Sequence, residues 1–158
     1  PEPPPVFTGT GPELAVSPSV VSLGVARLVG DTTIEFRGSG FEPADSVFIT
    51  LQQQGNPDVP AVAVADAPID ENGEFVTEVA KLVKITEFLR ADVGINEDME
   101  SYIIINKDPI PAGQYVATAR SMESDKTATC MMTVNGPSLT DSLKDWIGAT
   151  FLGKIDKR

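Results

Sequence analysis

Two glycines one residue apart stand between two stretches of strand character, and that placement constrains this chain more than anything else in it. The stretch is Arg37-Gly38-Ser39-Gly40-Phe41-Glu42-Pro43. Before it, Thr32-Thr33-Ile34-Glu35-Phe36 alternates apolar with polar residues; after it, Ser46-Val47-Phe48-Ile49-Thr50-Leu51 is rich in β-branched and aromatic side chains. The glycines let the backbone bulge or take positive φ. Phe41 can then turn inward as a plug at the end of a sheet, and Pro43 holds a loop before the next strand. Such a device ends one strand and sends the chain into another sheet. It contains no nucleophile, base or metal ligand.

The other strands follow from the same alternation and from the turns between them. Leu14 to Leu23 reads as one kinked strand, with Pro18 marking an edge or a switch between sheets. Further strands are expected over Thr32–Phe36, Ser46–Gln53, Val59–Asp66, Gly73–Val79, Ser101–Asn106, Gln114–Arg120 and Thr127–Val134. Gln54-Gly55-Asn56-Pro57-Asp58 and Asp70-Glu71-Asn72-Gly73 are turns. The thirteen glycines and thirteen prolines suit many short strands joined by turns. The fold class expected is all-β, an antiparallel sandwich occupying residues 14–136.

Three segments depart from that pattern. The arm over residues 1–13, Pro-Glu-Pro-Pro-Pro-Val-Phe at its start, is expected to be extended, with Val6 and Phe7 as anchors on a neighbouring subunit. Within the sandwich, Val79, Leu82, Ile85, Phe88 and Leu89 recur at helical spacing, predicting an inserted helix over about 79–93 that stops at Gly94. After Asn135-Gly136-Pro137, residues 137–158 carry a capping box at Ser138 and Asp141. An apolar stripe of Leu139, Leu143, Trp146, Ile147 and Phe151 then predicts an amphipathic helix to about Ile155. That stripe fits two partners, the chain's own sandwich or a neighbouring subunit. Its polar face lacks the Lys and Arg density that an anionic membrane surface needs.

Composition excludes whole classes of function. A net charge of −11 is wrong for a nucleic-acid partner, whose phosphates need a basic surface. The absence of His removes His-dependent catalytic triads and the commonest nitrogen ligand for zinc, copper and iron. The single cysteine, Cys130, has no partner for an intrachain disulfide and reads as a buried small apolar side chain. No apolar run reaches the ~18 residues of a membrane-spanning helix. A first residue that is not Met is the expectation for a processed or trimmed product, such as one that has lost a secretory leader. No phosphate-binding loop, dinucleotide fingerprint or serine-nucleophile motif is present.

Acidic residues gather at Asp66, Asp70, Glu71, Asn72 and Glu74. Placing Gly73 at the sixth position of a calcium loop puts Pro68 first and Val79 twelfth, neither of which can ligate, so an EF-hand is excluded. A looser calcium site joining Asn96, Glu97, Asp98 and Glu100 is weighed against an acidic, solvated turn. No cofactor is expected.

The chain from about Leu14 to Val134 resembles the immunoglobulin-like repeat domains of bacterial and archaeal surface proteins. The matching pieces are Val16-Ser17-Pro18, Gly38-Ser39-Gly40-Phe41-Glu42-Pro43, Asp70-Glu71-Asn72-Gly73-Glu74-Phe75 and Ile110-Pro111-Ala112-Gly113-Gln114-Tyr115. The resemblance implies a spacer, stalk or assembly unit and brings no catalytic residues. The expected function is therefore non-enzymatic: an extracellular or cell-surface subunit that assembles with copies of itself, or with a neighbouring structural protein, into a filament or layer. The interface residues expected are Val6, Phe7, Leu143, Trp146, Ile147 and Phe151. Alternatives are a virion decoration or tail protein, and a calcium- or carbohydrate-binding module.

Overall fold

A computed structural model describes residues 7–24, 27–95, 97–99, 101–105, 110–136 and 154–157. The protein is mostly β, built from antiparallel sheets and one mixed sheet. Its contacts divide it into two compact units that interleave in sequence. The first comprises Pro1–Val20, Thr33–Val79 and Gly113–Thr133; the second comprises Val21–Thr32, Ala80–Ala112 and Val134–Arg158. This differs from the linear division expected at residues 1–13, 14–136 and 137–158.

In the first unit, β1 (Glu13–Ser17), β3 (Glu35–Ser39) and β6 (Phe75–Glu78) form an antiparallel sheet in the order β1-β3-β6. A second sheet has the order β2-β10-β9-β4-β5, from β2 (Val20–Ser22), β10 (Thr127–Asn135), β9 (Gly113–Ser121), β4 (Ser46–Gln53) and β5 (Val62–Pro68). The last residues of β2 and β10 belong to the second unit. The chain changes sheet between β1 and β2, between β3 and β4, and between β5 and β6. Pro18 lies at the first change, between two strands it could not have continued as a central ladder residue.

The glycine-flanked plug works as the sequence suggests, with one change of detail. The strand before it does not end at Phe36 but runs on to Ser39. Gly38 therefore sits inside β3, opposite Leu14 on one side and Phe75 on the other. A Cβ on Gly38 would stand 2.0 Å from Phe75 Cε1, so the missing side chain is what lets that ring lie across the central strand. Gly40, at φ +82°, makes the turn out of the sheet. Phe41 is then buried, with its N–H donating to Gly73 O at 3.1 Å and its ring edge-to-face with Phe75 at 5.6 Å between centroids.

The second sheet buries Val47, Ile49 and Leu51 of β4, while Ser121, Ala119 and Ala117 of β9 stand opposite them. Small side chains across from large ones fill the interior without voids. Between Ile49 and Thr50 the register against β5 shifts, skipping Val64. This bulge re-aims the strand, and Val64 and Ala67 become its buried residues. The two sheets join through the Asp70–Gly73 turn, which is thus a crossover and not a hairpin within one sheet.

The second unit contains the helical insertion, shorter than the 79–93 expected. An α-helical turn, α1 (Lys81–Val83), continues as a π-helical turn over Lys84–Phe88. Leu89 N–H donates to Lys84 O and Ala91 N–H to Ile85 O, after which Arg90, at φ 51°, leaves the helix. The wider turn rotates the apolar stripe. Leu82 comes out at 59% exposed, whereas Lys84 goes in at 6% with its Nζ donating to Thr32 O at 2.6 Å. Gly94 is no helix stop: it lies in β7 (Asp92–Ile95), which pairs antiparallel with β8 (Ser101–Ile105). On the other side of β8, β11 (Lys154–Lys157) pairs in parallel. The predicted C-terminal helix falls mostly on residues 137–153, outside the described residues, but its last turn does not: Lys154–Lys157 is strand. Among the described residues no helix is long and apolar enough to cross a membrane.

Candidate assembly surfaces

Of the six interface residues expected from sequence, only Phe7 lies among the described residues, half-buried in the first unit; Val6, Leu143, Trp146, Ile147 and Phe151 lie outside them. The described part of the N-terminal arm is not extended. It bends at Gly9 and Gly11, at φ 78° and 141°. The Glu13 carboxylate fastens the bend: Oε1 accepts from the N–H and hydroxyl of Thr8 at 3.0 and 2.8 Å, and Oε2 from Gly9 N–H at 3.1 Å. The Thr8 N–H foremost, then the Thr8 hydroxyl and Gly9 N–H, hold this carboxyl below its ordinary pKa. The arm thus leaves β1 in a set direction.

A surface that the sequence reading missed lies on β7. As the last strand of the order β11-β8-β7, it presents a sheet edge. Val93 and Ile95 alternate about Gly94 and are 42% and 62% exposed, and Met99 in the following turn is 80% exposed. Edge strands are ready templates for another strand, and proteins that avoid such pairing guard the edge with Lys, Pro or a bulge. Only Asp92 brings charge to β7. The available signal was the period-2 alternation of Asp92-Val93-Gly94-Ile95, which the longer helical pattern before it concealed.

The polar side chains of the first unit are committed to its loops. Asp45, buried at 8% exposed, accepts from Ser46 N–H at 2.7 Å and Glu123 N–H at 3.2 Å through Oδ1. Its Oδ2 accepts from Ser124 N–H at 3.0 Å and from the Ser124 hydroxyl at 2.5 Å. This carboxylate ties the loop before β4 to the loop between β9 and β10, and a Lys126–Glu42 ion pair at 2.8 Å lies at its rim. The Ser124 hydroxyl above all holds the Asp45 carboxyl below the usual range, against the opposing effect of desolvation. The unfolded chain therefore binds that proton more tightly. The clamp stabilises the fold above the unfolded pKa of about 3.9 and is lost as pH falls through the lower folded value. In Asp45→Asn we expect Tm at pH 7 to fall by at least ~3 °C. Thermal melts should show the gap from wild type closing below about pH 3; a gap constant with pH would mean the clamp does not depend on charge.

The acidic turn treats its carboxylates in the same way. Asp70 Oδ1 accepts from the N–H groups of Asn72 and Glu74, each at 2.9 Å, shaping the crossover. Among the described residues no three acidic side chains are grouped to hold a metal ion; Asn96 and Glu100 lie outside them. Cys130 is half-buried in β10, and desolvation pushes its thiol up to about 11, so it stays protonated and unreactive at neutral pH.

No family model matches the chain, and no curated protein matches it. Among solved structures, macromomycin superposes on 78% of this chain and 99% of its own with a TM-score of 0.44 and 14% sequence identity.

Proposed function

We propose that this chain is a non-enzymatic structural subunit, built on an immunoglobulin-like sandwich, that assembles with copies of itself into an extracellular filament or surface layer. Strand order supports the sandwich. With β1, β3 and β6 taken as strands A, B and E, and β4, β9 and β10 as C, F and G, both sheets follow the partition of that fold, and β5 takes the place of C′. Tyr115, buried near the start of β9, stands where that fold places the tyrosine of its corner. The second unit is then what the sandwich carries. It enters mainly between E and F, where a repeat domain would have a short connection.

The observation that carries the assembly reading is the apolar edge of β7. Two exposed β-branched residues on a sheet edge suit strand addition, in which main-chain hydrogen bonds supply affinity and alternate side chains supply register. A copy joined at one such edge need bind only weakly, because repetition along an array raises the effective concentration of every further contact. The acidic surface keeps single copies soluble until that edge is engaged. Val93→Lys combined with Ile95→Lys is expected to abolish assembly while leaving the far-ultraviolet circular dichroism unchanged and Tm within ~3 °C of wild type, because both sites are exposed. Electron microscopy of variant and wild type decides it. Normal polymers formed by the double variant would rule out this edge as the joint.

A further inference from the structure

The other edge of the same sheet carries a second inference, which rests on the assembly reading above. β11 is the last described element, four residues long, and pairs in parallel along β8 from Lys154–Tyr102 to Lys157–Ile105. A parallel partner cannot arrive by a hairpin; it needs a crossover. Here residues 137–153 supply the connection from β10, and at ~3.3–3.6 Å per residue they reach at most about 60 Å. That is far beyond the ~5 Å between paired strands. The same ladder is therefore open to the end of another chain.

We propose that the place beside β8 is filled, in the assembly, by Lys154–Lys157 of a second copy. β8 runs Ser101-Tyr102-Ile103-Ile104-Ile105, and without β11 this apolar strand would itself be an open edge. It therefore needs a cover whichever copy supplies it. Charge favours exchange: the chain carries −11 overall, yet its end reads Lys154-Ile155-Asp156-Lys157-Arg158. Lys154 enters the ladder at Tyr102, beside the turn between β7 and β8 that holds Glu97 and Asp98. A basic end passed to an acidic neighbour lowers the repulsion between copies that such a net charge creates. Swapping an identical element also needs no new interface chemistry.

Cross-linking distinguishes a strand from the same chain and one from another. In a Cys130→Ser background, one full-length chain carries Ile103→Cys and a second, size-tagged chain carries Ile155→Cys; these two positions face each other in the register. The two are mixed in denaturant, refolded together and treated with a short bismaleimide. A cross-linked heterodimer is expected, absent when either cysteine is omitted. A third chain bearing both cysteines serves as reference. If it links only within itself and no heterodimer forms, the strand belongs to its own chain and the exchange is overturned. If it forms no link at all, β11 does not occupy the place and the exchange is equally overturned. Electron microscopy of the Cys130→Ser chain separates this from the broader reading. Polymers without heterodimer links remove the exchange and leave the assembly, while a lack of polymers removes the assembly reading itself.

Discussion

Phe41→Ala is expected to lower the unfolding free energy by about 3–5 kcal/mol, the range for truncating a buried aromatic ring. The ring is 4% exposed and closes the end of the first sheet against Phe75. Its removal takes away both the transfer energy of the ring and the edge-to-face contact, itself worth about 0.5–1.5 kcal/mol. A chain of this size has perhaps 5–15 kcal/mol in all. The variant should thus melt on the order of 10 °C lower and lie near its threshold at physiological temperature. Urea denaturation measures the loss, and a double-mutant cycle with Phe75→Ala isolates the pair. A loss under ~1 kcal/mol would show that Phe41 is no plug.

The second large effect is at Gly40. Its φ of +82° is costly for any residue with a Cβ, by about 1–2 kcal/mol. The added atom would also lie 2.1 Å from Gly11 O, a backbone atom that cannot swing aside as a side-chain tip can. The chain entering β1 would have to move, adding the ~1–3 kcal/mol of an overpacked contact. Gly40→Ala should therefore cost about 3 kcal/mol in the same denaturation experiment. Gly38→Ala offers an instructive contrast, because there the obstacle is the Phe75 ring and not the backbone. If Gly40→Ala were neutral, the turn that redirects the chain between sheets would not depend on that conformation.

These two residues mark where the sequence was most legible. Alternation and punctuation placed β4 with its ends at Ser46 and Gln53, and placed Phe41 and Phe75 inside, because turn chemistry and apolar period act over a few residues. Pro18 and the Gly40 turn also announced changes of sheet. Legibility failed where tertiary packing overrode local pattern. The stripe from Val79 to Leu89 promised a regular helix, but a π-helical turn buried Lys84 and exposed Leu82. The apolar strand β8 then drew Asp92–Ile95 out of the expected helix and into pairing. No local signal separates that outcome from a longer helix, since both bury β-branched residues. Asp45 was equally silent. An acid after Pro43-Ala44 reads as an ordinary loop residue until the loop between β9 and β10, distant in sequence, arrives to donate to it. The interleaving of the two units has the same origin, because it is made by contacts of long sequence separation.

The candidate surfaces follow that division. An arm rich in proline is visible from sequence, yet its direction is set by Glu13, whose hydrogen bonds to Thr8 and Gly9 appear only in three dimensions. The β7 edge depends on which strand ends a sheet, a property of topology and not of any one segment.

The claim on which this account turns is that the protein works by joining its own kind. Negative-stain electron microscopy of the full-length wild-type chain, imaged over a rising series of concentrations, measures that directly. The account predicts regular filaments or sheets with a repeat the size of one subunit, missing from the Val93→Lys/Ile95→Lys variant. Fields of separate single-copy particles at every concentration would contradict it.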